Sequence, residues 1–365
     1  MITKLYIDNF RCFTNFELEL DRFHLFLGAN GSGKSSVFDA LLRVQRLLSG
    51  ESVERCFPIG DLTAWESRTA QSFAIEISVG EDSFRYEVCV EHSPAEKKQR
   101  IGKERLLWNS QVLYRLDGGD AHVYRVRGSE VVEGTHFLVR GNSSFIPLLE
   151  ERGDNQPVFR FRQAVRNCAI LRLIPPCMES MSEAESAALD SDGGNFSSWY
   201  RYLAQSHPEI TSRLAHSLEE VIPGIQHLRF ETVGEAKRFE AAFRMFSRPL
   251  SFAQLSDGQR SLIVLYTLLH AAASLGYSLF IDEPDNYVSL RESQPWLRTL
   301  DDLSREHGKQ ANLISHHPEI INLLAKEDGI WFTRPNNEHV IARREYPVAE
   351  GLTAAETMAR GWDDE

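Results

Sequence analysis

The sequence has few of the features that define small secreted proteins or membrane proteins. Its 365 residues include five cysteines, an odd number, and no two of them form a Cys-x-x-Cys pair. A disulfide framework and a zinc site built on cysteines are therefore not expected. The N-terminal stretch "MITKLYIDNFRCF" lacks the apolar core of a signal peptide. No apolar run reaches the roughly 18 residues of a membrane span, so we expect a cytoplasmic protein without membrane association.

An excess of positive charge is also missing. The formal net charge is −12, which argues against a broadly basic nucleic-acid-binding surface. Two isolated cations, Arg11 and Arg43, contact either nucleotide or nucleic acid, or else form surface ion pairs. The basic stretch "EKKQRIGKER" is either a local nucleic-acid patch or a solvated hairpin tip. Its cations are Lys97, Lys98, Arg100, Lys103 and Arg105.

Hydrophobic periodicity divides the chain into regions of different secondary structure. "KLYIDNF" and "FHLFLG" are typical of strands, and apolar residues then recur at helical spacing from Lys34 to Gly50. From about 71 to 140, apolar and polar residues alternate between turn signals, which predicts an antiparallel β lobe. Helices are expected from Ser197 to about Val221. The last third alternates helix and strand, as parallel strands with crossover helices do.

The stretch "LGANGSGKSS" at 27–36, here the phosphate loop, fits the pattern G-x-x-x-x-G-K-[ST] from Gly28 onward. It follows a predicted strand and opens a predicted helix, whereas a flexible linker needs neither. Its glycines let successive N–H groups face one anion, and the helix N-terminus adds partial positive charge. Lys34 would reach the β- and γ-phosphates, and the Ser35 hydroxyl would hold Mg²⁺. The predicted nucleotide-binding residues are Asn30, Gly31, Ser32, Gly33, Lys34, Ser35 and Ser36.

A pair of carboxylates follows the predicted strand in "SLFIDEP". Asp282 would hold Mg²⁺, directly or through water, and Glu283 would orient and polarise the attacking water as general base. An acidic turn after a buried strand would mean little alone. Together with the phosphate loop, it predicts Mg²⁺-dependent ATP hydrolysis.

The stretch "LSDGQRS" at 255–261, here the signature loop, precedes a helix that is apolar nearly all round. It resembles the signature loop of ABC-type ATPases, usually LSGGQ, with Asp257 replacing the first glycine. In that family the loop binds the γ-phosphate of ATP held by the opposite subunit, and the resemblance implies this role for Ser256, Gly258 and Gln259. The following helix N-terminus is a second anion site. One chain then carries two half-sites, and an ATP-dependent, head-to-tail homodimer is expected.

Two histidines follow the next predicted strand, in "ISHHPE". ABC-type ATPases carry a switch histidine at this place. The resemblance implies that His316 hydrogen-bonds the γ-phosphate, that Ser315 matches a threonine and that His317 occupies a small polar position. Considered alone, the histidine pair would be a helix cap at a strand exit.

Spacing separates the possible relatives. Lys34 and Ser256 lie 222 positions apart, farther than in transporter ATPases but without the coiled coil of chromosome-maintenance ATPases. "LYIDNFRCF" and "NGSGKSSVFDAL" resemble the first strand and phosphate loop of SMC-like heads. "DSDGGNFSSWY" and "DEPDNYVSL" add to that resemblance. The chain resembles a coiled-coil-free head, near the bacterial recombination-mediator and overcoming-lysogenization-defect (phage-exclusion) ATPases.

The resemblance implies an α/β fold, a P-loop NTPase of the ABC/SMC-like head type. Its mixed sheet core would carry an inserted antiparallel β lobe and a helical lobe. We expect the first half of the core at 1–70, the β lobe at 71–165, a helical and connector region at 166–250, and the second half of the core at 251–365.

Three departures from the family pattern stand out. Asp257 adds a negative charge beside the γ-phosphate site. The D-loop is represented only by "DNYVSL", with Asp285 and Asn286 as candidates. Gln156 and Gln163 are both candidates for the Q-loop glutamine, and no pattern decides between them.

Two functions are compatible with these motifs. The first is an ATP-hydrolysing molecular switch in DNA repair or anti-phage defence. The second is a nucleotide-gated scaffold with little turnover that holds a toxin or nuclease; the presence of Glu283 favours the first. A transporter ATPase is disfavoured, since it needs a shorter gap between the phosphate loop and the signature loop and a membrane partner.

The 48 residues after His317 are too few for a nuclease domain, so the resemblance implies a separate effector such as a nuclease or toxin. Nucleic-acid binding is left open.

Overall fold

The computed structural model describes residues 1–128, 130–345 and 351–360. Contacts divide the chain into two units. The terminal unit contains Met1–Asn167 and Ala325–Glu365, and the central unit contains Cys168–Leu324. The four segments predicted from the sequence remain a prediction, and positions 346–350 and 361–365 of the last segment lie outside the described residues.

The structure has strands in the segments where the sequence predicts them, together with others. In chain order they are β1 (Ile2–Asp8), β2 (Phe16–Glu19), β3 (Phe23–Leu27), β4 (Ala70–Val79), β5 (Asp82–Ser93), β6 (Lys98–Trp108), β7 (Gln111–Asp117), β8 (Asp120–Arg127), β9 (Glu130–Leu138), β10 (Cys168–Leu171), β11 (Met181–Ser182), β12 (Ile225–Val233), β13 (Ala236–Phe243), β14 (Leu250–Ser251), β15 (Ser278–Asp282), β16 (Ala311–Ile314), β17 (Gly329–Thr333) and β18 (Ile341–Arg343).

The helices include those predicted after the phosphate loop and after the signature loop. In chain order they are α1 (Lys34–Leu48), α2 (Val53–Cys56), α3 (Gln156–Arg166), α4 (Phe196–Ser206), α5 (Pro208–Val221), α6 (Asp257–Leu275), α7 (Leu290–His307), α8 (Pro318–Asp328) and α9 (Ala354–Ala359). Within the described ranges, no helix combines the length and the apolar character needed to cross a bilayer.

The predicted antiparallel lobe is present in the terminal unit, but it is continuous with the N-terminal strands. The strand order is β2-β1-β4-β5-β6-β7-β8-β9. Leu5 of β1 lies opposite Leu18 of β2 on one side and Ile75 of β4 on the other. Ile75 in turn pairs with Tyr86 of β5. All four side chains are buried, so the period-two pattern places one apolar face in the core.

A second set of strands in the terminal unit positions the phosphate loop. Strand β3 is buried at all five positions and pairs in parallel with β17, with Leu27 opposite Trp331. Strand β18 pairs antiparallel with β17. Burial at every position of a strand is typical of parallel sheets, which are covered on both faces.

The central unit contains the predicted parallel strands and crossover helices. Strand β15 pairs in parallel with both β10 and β16. Helix α6 buries residues on most of its surface, and Trp296 of α7 donates its Nε1–H to the carbonyl of Leu265, at 3.0 Å. The apolar run of α6 therefore indicates a core helix and not a membrane span.

The segment 166–250 contains helices α4 and α5 as predicted, but it also contains an antiparallel β sheet that the sequence analysis missed. Strands β12 and β13 form a hairpin, and β11 and β14 pair with β13. Phe230 and Phe239 lie opposite each other across the hairpin, with ring centroids 5.0 Å apart. Both strands contain many charged residues, and most positions of β12 are exposed. The alternation of apolar and polar residues that predicts a strand is therefore weak here.

A buried carboxyl lies in the core of the terminal unit. Glu104 of β6 is 1% exposed and accepts hydrogen bonds from the Tyr86 hydroxyl at 2.7 Å and the Ser144 hydroxyl at 2.6 Å. Burial raises the pKa of the Glu104 carboxyl to about 7, although these hydrogen bonds act in the opposite direction. The folded state therefore binds a proton here more tightly than the unfolded state.

We expect Glu104 to make folding stability depend on pH near neutrality. Because its pKa rises from an ordinary 4.5 to about 7, the stability contributed by the protonated form is complete below pH 4.5 and is lost as the pH rises through 7. The Glu104→Gln variant should lose this dependence, a difference on the order of 3 kcal/mol across the window. Urea unfolding between pH 5 and pH 8 measures it, with the exposed Glu219→Gln as control. Parallel pH profiles for wild type and Glu104→Gln would refute the assignment.

Candidate functional site

The phosphate loop lies between β3 and α1, and its glycines are required by the backbone. Gly28 has φ 132°, and a Cβ there would lie 2.1 Å from the carbonyl oxygen of Phe332. Gly33 has φ 104°, and its Cβ would lie 2.8 Å from Val340. The positive φ strains a side chain at either position, and at Gly28 the side chain would also collide with backbone. The loop geometry is thus fixed by its contacts with β17 and the segment before β18.

Lys34 lies inside the phosphate loop. Its side chain is 5% exposed, and Nζ donates to the carbonyl oxygens of Gly28 at 2.6 Å and Ala29 at 2.8 Å. Ser35 is exposed in the first turn of α1, a turn that contains no acidic residue. The helix N-terminus and the Lys34 ammonium place positive charge at this loop, which is the charge that the predicted anion site requires.

The other predicted residues of this loop differ in exposure. Asn30 and Gly31 are exposed, Ser32 and Gly33 are buried, and Ser36 is half-buried. The exposed pair lies at the tip of the loop, where its backbone N–H groups can reach a ligand. The buried pair shapes the loop.

An arginine and a tryptophan beside the phosphate loop were not found from the sequence. Arg334, just after β17, donates from Nη1 to the carbonyl of Gly31 at 3.2 Å and lies over the ring of Trp65, 5.5 Å from its centroid. Trp65 is 46% exposed. No motif marks either residue, because they meet only when β17 pairs with β3.

The carboxylate pair lies at the end of β15 in the central unit. Asp282 is 5% exposed and is the register partner of Ile314 at the end of β16. The backbone N–H of Glu283 donates to the Ile314 carbonyl at 2.8 Å. Glu283 has φ 53°, a left-handed conformation that costs roughly 1–3 kcal/mol in a residue with a side chain. The turn thus directs the Glu283 side chain away from the path of the strand.

Two residues contact the Glu283 carboxylate. Arg172, just after β10, brings Nη2 to within 3.5 Å of its Oε2, and Asn286 donates from Nδ2 to the same oxygen at 2.5 Å. Asn286 is a D-loop candidate from the sequence, whereas no motif marks Arg172. The available signal was its position, since carboxyl ends of adjacent parallel strands meet at one edge of a sheet.

The histidine pair is divided between two environments. The His317 ring accepts a hydrogen bond at Nδ1 from the Glu319 backbone N–H, at 3.2 Å. The His317 backbone N–H donates to the Ser315 hydroxyl at 3.0 Å. His317 therefore caps the start of α8, as the simpler interpretation of the pair predicts. His316 is exposed, which leaves the switch role assigned to it as a prediction. Burial raises the pKa of the nearby Asp285, against an opposing hydrogen bond from Ser315.

The signature loop begins α6 with a capping box. The Ser256 hydroxyl accepts from the Gln259 backbone N–H at 3.2 Å, and the Gln259 side chain accepts from the Ser256 N–H at 3.1 Å. Ser256 is exposed, so its hydroxyl can still donate to a ligand. A Cβ at Gly258 would lie 2.7 Å from the Tyr287 carbonyl oxygen, so the loop packs closely on the turn after Glu283.

The charge of Asp257 is balanced within its own helix. Its Oδ1 lies 2.5 Å from Nη2 of Arg260, which also donates from Nη1 to the carbonyl of Pro175 at 2.5 Å. The Arg260 side chain is only 10% exposed. The substitution of Asp257 for the family's glycine therefore does not leave an uncompensated negative charge at the signature loop.

The remaining cationic and glutamine candidates make local contacts. Arg11 forms ion pairs with Asp39 and Asp61, and Arg43 pairs with Asp61, which confirms the ion-pair interpretation. The basic stretch forms the β5–β6 hairpin, with Arg100 paired to Glu91.

Neither Q-loop candidate is singled out by its contacts. Gln156 donates to Glu151 and to the carbonyl of Arg152, and Gln163 donates to Asn167. The Q-loop glutamine stays undecided between them.

Comparisons with known proteins find two family models and similar solved structures. The family model described as "AAA ATPase domain" matches residues 1–99, and that described as "AAA domain, putative AbiEii toxin, Type IV TA system" matches residues 146–322. A solved SMC head bound to the C-winged helix domain of ScpA is similar with a TM-score of 0.58 and 13% identity, covering 98% of this chain and 99% of that chain. The SMC head domain from Thermotoga maritima gives a TM-score of 0.48 and 12% identity, over 94% and 98%. No curated protein matches the sequence.

The solved structure with the higher TM-score shows the fold. The chain has the mixed α/β fold of an SMC-like, ABC-type ATPase head, as the sequence predicted. Its relationship to the recombination-mediator and phage-exclusion ATPases stays a prediction. The matched ATPase domains include the phosphate loop in the first stretch and the signature loop and carboxylate pair in the second.

We expect Arg172 to position Glu283. The Arg172→Ala variant should lower the rate of ATP hydrolysis by about ten-fold, because a carboxylate held on one side only is less well oriented. Nucleotide affinity should not change, since Arg172 does not belong to the phosphate loop. Steady-state hydrolysis and equilibrium nucleotide binding measure the two effects. Arg229→Ala, which breaks another Arg–Glu pair of the central unit, is the control. Equal rates for Arg172→Ala and Arg229→Ala would contradict this role.

Proposed function

We propose that this protein is an ATP-hydrolysing molecular switch. The observation that carries the proposal is the Glu283 carboxylate, which follows the buried Asp282 in a left-handed turn and is held by Arg172 and Asn286. Hydrolysis needs a general base close to the attacking water, and a carboxylate directly after the proposed Mg²⁺ ligand is suited to that role. Glu283 would accept a proton from the attacking water, as general bases in hydrolases do.

The residues present fit ATP and Mg²⁺. Lys34 and the N-terminus of α1 supply positive charge for the phosphates. The Ser35 hydroxyl and the Asp282 carboxylate are the hard oxygen ligands that Mg²⁺ prefers. When bound, the cation would neutralise negative charge on the phosphates. His316 would hydrogen-bond the γ-phosphate and respond to its loss.

We further propose that two copies associate head to tail around ATP. The support is the exposed Ser256 at the N-terminus of α6, which is a second anion site on the same chain. The pairing of Asp257 with Arg260 removes the main electrostatic objection. Ser256, Gly258 and Gln259 of one copy would contact the γ-phosphate held by the phosphate loop of the other. ATP would then stabilise the dimer, and hydrolysis would release it.

We propose that the switch controls a separate effector, such as a nuclease or toxin, in DNA repair or anti-phage defence. The description of the second family model mentions a toxin of a type IV system, and the similar SMC head was solved with a bound partner domain. Both observations support a head that transmits its nucleotide state to another protein.

Phosphate release by the purified protein with Mg²⁺ and ATP tests the proposed activity. Lys34→Ala should bind no ATP, because it removes the ammonium of the anion site. Glu283→Gln should bind ATP normally but hydrolyse it about a hundred-fold more slowly or worse, the usual effect of losing a general base. The exposed Glu219→Gln should behave as wild type.

Two outcomes would count against this function. ATP affinity unchanged in Lys34→Ala would remove the nucleotide site from the phosphate loop. Near-zero phosphate release by wild type and Glu283→Gln alike, with normal ATP binding, would replace hydrolysis by the scaffold function.

A further inference from the structure

A cluster of metal-ligating side chains lies on the antiparallel sheet of the terminal unit, apart from the phosphate loop. Asp120 and His122 lie two residues apart on β8, so their side chains project from the same face of the strand. His136 of β9 is the direct register partner of His122. The pairing of the two strands therefore brings all three side chains together.

The three side chains lie close together and contact one another. His136 Nε2 is hydrogen-bonded to Oδ1 of Asp120, and His122 Nε2 lies 3.4 Å from Oδ2 of the same carboxylate. The two imidazole rings have centroids 4.6 Å apart. One ligand atom from each residue lies within 4.8 Å of the others.

The neighbouring charges leave the cluster accessible to a cation. Arg115 of β7 is the register partner of His122, but its guanidinium pairs with Asp117 at 3.2 Å. Asp120 and His122 are half-buried and His136 is exposed. A dissolved ion can therefore reach the ligand atoms without any opening of the fold.

We propose that Asp120, His122 and His136 bind one divalent transition-metal ion. Two imidazoles and a carboxylate form a ligand set suited to zinc and similar metals, which take three protein ligands and keep further positions for water. Mg²⁺ is a poor fit, because it prefers oxygen ligands in an octahedral arrangement. This site is therefore chemically different from the proposed Mg²⁺ site of Ser35 and Asp282.

A bound ion would connect β9 to β8 by side chains as well as by backbone hydrogen bonds. Strand β9 is half-buried or exposed along its whole length and ends the strand order of its sheet. Edge strands with little burial open most readily. The metal would hold β9 in register and slow its opening.

Titration of the full-length protein with zinc chloride, in excess Mg²⁺, tests the site by calorimetry. Wild type should bind one zinc ion per chain. His122→Gln, His136→Gln and Asp120→Asn should each weaken binding by about ten-fold or more, since each removes one of three ligands. His227→Gln changes an exposed histidine of a different strand, β12, and should bind as wild type. Circular dichroism verifies that every variant is folded.

Hydrogen exchange provides a second readout. Zinc should slow exchange of the β9 amides in wild type and in His227→Gln, and should have no effect on them in His136→Gln. Absence of a saturable zinc site in wild type would overturn the proposal, and so would equal zinc binding by wild type and all three ligand variants. In either case, the carboxylate is merely hydrogen-bonded between two imidazoles.

Discussion

The proposed function depends on one physical interaction, the attraction between a polyphosphate and the N-terminal end of a helix. The chain presents two such ends. Helix α1 follows the phosphate loop, with Lys34 enclosed by the loop carbonyls, and α6 follows the signature loop, with Ser256 as its cap. They belong to different units of the chain. In the proposed function each would form half of a binding site, because a triphosphate needs donors on more than one side.

The chemistry proposed for the site depends equally on restraint of side chains that carry charge. Arg172 and Asn286 contact the Glu283 carboxylate, and these contacts favour one orientation of it. His317 is engaged as a helix cap, which separates its role from that of the exposed His316. A site whose groups are ordered in advance loses less entropy when the substrate binds.

Local sequence predicted much of this arrangement. The phosphate loop, the carboxylate pair and the signature loop are short segments between a strand and a helix. Their residues are close together in sequence, so a local pattern is enough to find them. Arg172, Arg334 and Trp65 were missed because their roles arise from tertiary contacts between strands distant in sequence. The β12–β13 hairpin was missed because its exposed, charged residues weaken the period-two pattern. The pairing of β1 with β4 could not be predicted, because alternating apolar and polar residues indicate a strand but not the strand that pairs with it.

The central claim, that one nucleotide is used by two copies, is tested most directly by mixing two variants. Lys34→Ala lacks the phosphate half-site, and Ser256→Arg blocks the signature half-site, so each should be inactive alone. A mixed dimer contains one site with both halves intact. An equal mixture should therefore regain up to about a quarter of the wild-type ATPase rate, because half of the dimers are mixed and each has one working site. A mixture no more active than the two variants measured separately would contradict the account.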